Sequence, residues 1–130
     1  MNIIIALFLL VGVPYGYTQY SVAKIENNHP PEGQFKLINN LKIHYDIVGK
    51  GPTVVLLHSQ PSNQKQFYKL KNILKDNYRV ISIDRPGMGY SEPIEEVSAK
   101  RLEMQAQLIR ELLKNLKVKK PIILLSLIHI

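Results

Sequence analysis

The strongest constraint in this chain is a pair of apolar runs, each of which ends in an unusual loop. Thr53-Val54-Val55-Leu56-Leu57 has no polar face, and such a run suits a strand buried on both sides of a parallel sheet. Tyr78-Arg79-Val80-Ile81-Ser82-Ile83-Asp84 reads as another strand. Between them, residues 64–75 carry Phe67, Leu70, Ile73 and Leu74 at helical spacing, with lysines elsewhere on the wheel. Residues 98–116 repeat the pattern. Ser98 is a candidate cap there, and Leu102, Ala106, Ile109, Leu112, Leu113 and Leu116 form one stripe. Pro121-Ile122-Ile123-Leu124 begins a third buried strand.

Ahead of these runs, residues 35–38 and 41–48 alternate around Asn39-Asn40. That pattern predicts a hairpin whose turn residues tolerate positive φ. Gly49-Lys50-Gly51-Pro52 closes it. The elements together predict an α/β fold over residues 35–124. An N-terminal antiparallel hairpin leads into a doubly wound, mostly parallel sheet, truncated after the third parallel strand. In such sheets the ligand site lies beyond the carboxyl ends of the parallel strands. Both unusual loops fall there.

The first loop is Leu56-Leu57-His58-Ser59-Gln60-Pro61. A tight turn at a strand end can aim a backbone N–H at a developing oxyanion, and Gln60, before the proline, is best placed to do so. His58 is expected to orient the loop through hydrogen bonds rather than to act as a base. The second loop is Asp84-Arg85-Pro86-Gly87-Met88-Gly89-Tyr90-Ser91. Gly87 and Gly89 relieve the steric limits of its backbone path. Asp84 and Arg85 are expected to be structural, the carboxylate accepting loop N–H groups and the guanidinium bracing neighbouring turns.

Together these segments resemble the α/β-hydrolase fold family, with its strand-His-Gly-x-Pro and strand-Asp-x-Pro-Gly-x-Gly-x-Ser motifs. The resemblance, to the N-terminal part of the domain, implies that the N–H of Gln60 helps form an oxyanion hole. Ser59 stands where the family has glycine. It also implies a nucleophile after the third parallel strand, on a Gly-x-Ser-x-Gly turn, followed by an acid and a histidine. The chain instead continues Leu125-Ser126-Leu127-Ile128-His129-Ile130. Ser126 has leucine on both sides, so no glycine permits a strained elbow, and Ser126 with His129 reads as a chance pair. The string matches the translation of a transposon-end adapter used in sequencing libraries, so residues 125–130 are expected to be a non-native tail. Without a following helix, the strand at residue 122 would be an exposed edge. The nucleophile is expected to be absent from this chain.

The N-terminus reads as an address. Residues 3–13 form an apolar run, and the first charged side chain is Lys24. The run is short for a spanning helix and right for a signal peptide. Ser21-Val22-Ala23 supplies small residues for cleavage after Ala23. With Tyr15, Tyr17 and Tyr20, residues 3–20 could instead be a short membrane anchor with an aromatic belt. Residues 24–34, with Pro30, Pro31 and Gly33, read as a linker. Export or membrane anchoring is expected in either case.

The formal charge of +7 comes from lysines spread along the chain, without the patterned tract of a nucleic-acid site. No nucleic-acid partner, cofactor or metal is expected. Cysteine is absent, which excludes a disulfide framework and a thiolate metal site. The expected function is that of an exported hydrolase fragment, inactive alone, whose parent attacks a small ester, epoxide or halide substrate. Whether the nucleophile is Ser or Asp stays open. The alternatives are a non-catalytic hydrolase-like binding protein and a small basic envelope protein. Oligomeric state is not legible.

Overall fold

A computed structural model describes residues 2–28, 30–95 and 100–126. Ser98 and His129 lie outside the described residues. The chain divides into two compact units, residues 1–31 and 32–130.

The first unit is helix α1, Asn2–Asn28. It runs through the proposed cleavage site and into the segment expected as a linker. Nothing in Lys24-Ile25-Glu26-Asn27-Asn28 breaks a helix, and the first residues that do are Pro30 and Pro31. Pro14 sits inside α1, and the Thr18 hydroxyl donates to its carbonyl at 2.8 Å. Among the described residues, no helix is long and apolar enough to cross a membrane.

The second unit is a five-stranded mixed sheet in the order β1-β2-β4-β3-β5. Strands β1 (Gln34–Ile38) and β2 (Leu41–Val48) form the antiparallel hairpin. Its turn residues Asn39 and Asn40 take φ of 48° and 64°, the left-handed values that a two-residue turn needs to follow strand twist. Strand β2 also pairs antiparallel with β4 (Arg79–Ile83). Strand β3 (Thr53–Leu57) lies parallel to β4 on one side and to β5 (Ile122–Leu125) on the other.

Helices cover both faces, so β3 and β4 need apolar residues at successive positions. Val55, Leu57, Ile81 and Ile83 pack with Leu108, Leu112 and Leu113 of α2 (Arg101–Asn115). On the other face Val54, Leu56 and Val80 meet Phe67, with Leu70 and Leu74 beside them. The first helix of this unit differs from its expected form. Asn63 caps Lys65 N–H through its side chain and opens a 3-10 turn, Gln64–Phe67. The α-helical part spans only Tyr68–Leu74, and Ile73 is 70% exposed.

Helix α2 also departs from the single stripe. Leu102 and Ala106 are exposed, while Gln105 and Leu108 are buried. The helix has two apolar sides. One seals the core, and the other, with Leu102, Ala106 and Ile109, lines an open groove of about 450 Å³ against Leu57, Ile123 and Leu125. For the same reason β5 is not the buried strand expected from its composition. Ile122 and Ile123 are 58% and 56% exposed because β5 is the edge of the described sheet and no described element covers it. Its ladder continues through Leu125, paired with Leu57, one residue into the segment expected as a tail.

An edge that is apolar on both faces and open to pairing is an association site. The full chain should therefore self-associate at micromolar concentration, as read by sedimentation velocity. Ile123→Lys should suppress that association while the far-ultraviolet circular dichroism stays the same. A wild-type chain that stays monomeric would contradict this account of β5.

Candidate active-site crevice

The loops after β3 and β4 lie side by side at the carboxyl ends of those strands. His58 joins them. Its ring is fully buried, with Nδ1 bonded to the Ser59 carbonyl at 2.7 Å and Nε2 accepting the Arg85 N–H at 2.9 Å. Burial is the main influence on this imidazole and pushes its pKa below the ordinary 6.5. The Ser59 carbonyl and the Asp84 charge oppose that shift, and the Arg85 charge adds to it. A neutral ring that donates at one nitrogen and accepts at the other is fully occupied, so it has no lone pair left for a substrate. Arg85 extends from the second loop to the His58 carbonyl and, at 2.9 Å, to Gln105 of α2.

Asp84 is the centre of the second loop. Its Oδ1 accepts the Gln64 N–H at 2.7 Å, and its Oδ2 accepts His44 Nδ1 at 2.7 Å and the Tyr90 N–H at 3.1 Å. Burial raises the cost of this charge, yet the bonds from His44, Gln64 and Tyr90 outweigh it and hold the carboxyl below its ordinary 3.8. Gly89, at φ 54°, packs directly on this carboxylate, and a Cβ there would collide with all three of its outer atoms. Ser91 finishes the loop by donating to the Asp84 carbonyl and accepting the His44 N–H.

Gln60 is exposed at the tip of the first loop, its bond to Pro61 is cis, and its N–H has no hydrogen-bond partner among the described residues. Ser59 is buried, and both its N–H and its hydroxyl donate to Gln66 Oε1. The Gln66 amide donates in turn to the Ser126 hydroxyl at 3.0 Å, and Ser126 N–H caps Leu57. The structure thus brings Ser126 to the same crevice as Ser59 and Gln60, with no described histidine or carboxylate bonded to its hydroxyl. Reading the sequence missed His44, Gln64 and Gln66. The first is one residue of an alternating strand, and the other two look like ordinary positions in a helix.

The family comparison follows this geometry. The alpha/beta hydrolase fold model matches residues 52–125. The chain belongs to the α/β-hydrolase fold family. It is 42% identical over 53 residues to a pimeloyl-(acyl-carrier protein) methyl ester esterase of Shewanella sp. (strain MR-7), covering 41% of this chain and 20% of that protein. The esterase EaEST of Exiguobacterium antarcticum superposes with a TM-score of 0.63 at 30% identity, over 71% of this chain and 34% of that one. The epoxide hydrolase VrEH1 of Vigna radiata gives 0.68 at 25% identity, over 73% and 31%. The chain therefore spans about a third or less of the length of these relatives.

The lowered pKa values of His58 and Asp84 both favour the fold at higher pH, since in each case the unfolded chain binds the proton more tightly. The His58 contribution is complete above 6.5 and is lost as pH falls through its lower folded value. The Asp84 contribution is complete above 3.8 and is lost below that in the same way. Urea titrations across acid pH should show stability falling in two stages, the first absent in His58→Gln. Asp84→Asn should remove the second stage and cost about 1–3 kcal/mol at neutral pH, because buried donors lose their acceptor. An acid profile identical in wild type and both variants would refute this assignment.

Proposed function

We propose that this chain is the N-terminal part of an exported hydrolase that cleaves an ester, or a related epoxide or carbon–halogen bond, in a small substrate. The observation that carries this reading is the Gln60 N–H. It stands without a partner among the described residues on a loop fixed at its start by His58 and at its end by Gln64. A donor that is held in place and has no bond to the described residues to give up needs little reorganisation of the protein when an oxyanion forms. A nucleophile on the segment after β5 would attack the substrate, the substrate oxygen would take the electron pair, and Gln60 N–H would stabilise it. The charged Asp84 holds this loop and does not react.

The two neighbour types, esterase and epoxide hydrolase, support the bond class and leave Ser and Asp as alternative nucleophiles. The apolar residues 3–13 and the small residues Ser21 and Ala23 support export by a cleaved leader.

The gene tests the central claim. Read from source DNA past the codon for Leu124, the frame should continue within one or two residues into Gly-x-Ser-x-Gly or Gly-x-Asp-x-x-Gly, then supply an acid and a histidine. The 130-residue chain should hydrolyse activated short-chain esters no faster than its Ser126→Ala variant. A stop codon directly after Ile130, or an activity abolished by Ser126→Ala, would overturn the proposal.

A further inference from the structure

The strongest unassigned feature is a buried histidine on the antiparallel hairpin. His44 is 1% exposed, packed between the Phe35 ring at 4.8 Å and the Tyr90 ring at 5.3 Å. Its two nitrogens are unequal. Nδ1 meets Asp84 at 2.7 Å and lies 3.3 Å from the side-chain nitrogen of Gln64, the shorter contact to the carboxylate taking its proton, while Nε2 is buried without a partner among the described residues. An orphaned buried nitrogen is costly, so a residue chosen only to fill this space would be apolar. The Nδ1 bond is the compensating feature. Its acceptor, Asp84, is the group that takes the Gln64 N–H on its other oxygen.

Gln64 in turn is fixed from a third direction. Its Oε1 accepts the Ser82 hydroxyl at 2.7 Å, and its Nε2 donates to the Glu32 carbonyl at 3.3 Å. The path from β2 to the first loop is therefore His44, Asp84, Gln64. We propose that His44 is a positioning residue of the hydrolase site: through Nδ1 it orients the Asp84 carboxylate, which holds the end of the loop that carries Gln60. The inference rests on the hydrolase reading for its catalytic meaning, and on the hydrogen bonds alone for its structural part.

The asymmetry of the ring supplies the test. Asparagine places an amide N–H close to the position of Nδ1, whereas glutamine places one near Nε2. Amide hydrogen exchange is measured on the full chain for wild type, His44→Asn and His44→Gln, with the Leu56 amide of β3 as the control for global folding. Exchange at Gln64 should be about tenfold faster in His44→Gln, the loss of roughly one buried hydrogen bond, and near wild type in His44→Asn. Equal protection in all three, or equal loss in both variants, would show that the ring only fills space and would overturn the proposal. In the longer enzyme, His44→Gln should lower kcat for an activated ester about tenfold with KM unchanged, and His44→Asn should restore it. A longer enzyme without hydrolase activity, but with the exchange pattern above, would refute the hydrolase reading while upholding the His44–Asp84–Gln64 tie.

Discussion

One buried negative charge organises this domain. The Asp84 carboxylate is withdrawn from water at the end of β4, where an isolated charge would cost several kcal/mol. It is tolerated because donors arrive from different parts of the chain: His44 from the hairpin, Gln64 from the first loop, and Tyr90 from the glycine loop. The two loops are irregular, whereas β2 is an inner strand anchored by Ile43 and Tyr45 in the core, so the charge ties the loops to a segment that packing already fixes. The charge makes them one structure. The contact of Gly89 with the carboxylate follows from the same requirement, since the backbone must approach closely enough for Tyr90 N–H to reach an oxygen.

The second tie between the loops is of a different kind. His58 is neutral and acts by geometry, one nitrogen turned to its own loop and the other to the Arg85 N–H of the next. Because a single ring fills both roles, the two loops keep a constant separation without any ion pair. Arg85 extends the brace to Gln105, so the position of α2 is linked to the same turn. Polar atoms thus connect the loops to elements on the sheet face, where the apolar core cannot specify register.

Much of the fold was legible because it is written locally. An apolar run without a polar face marks β3, and two asparagines mark a turn with left-handed backbone. The loop motifs also fall at the carboxyl ends of β3 and β4, as the strand pattern implied. What was not legible depends on distant neighbours. His44 gains its meaning only when β2 lies beside β4, and the sequence separates it from Asp84 by 40 residues. The composition of residues 122–124 alone reads as a buried strand, and the exposure of Ile122 and Ile123 agrees instead with the edge position expected for that strand. Helix α2 shows the same limit: its periodicity revealed an apolar helix, but not that its apolar surface divides between a sealed core and an open groove. The 3-10 start at Gln64 was hidden because the Asn63 cap shortens the first turn by a side-chain bond that spacing does not reveal.

The order of strands has a consequence for biosynthesis. Strand β3 lies between β4 and β5 and is parallel to both, while the hairpin joins the sheet through β4. During translation the hairpin can close first, from contacts made within a few residues. Strand β3 must then wait for β4 before either has a partner, and β5 can dock only after α2 has been made. Parallel pairing over such separations is slow. A ribosome therefore exposes Val54, Val55, Leu56 and Leu57 for the time needed to synthesise the next helix and strand, and this is the interval in which a chaperone has a sticky, unpaired ribbon to hold.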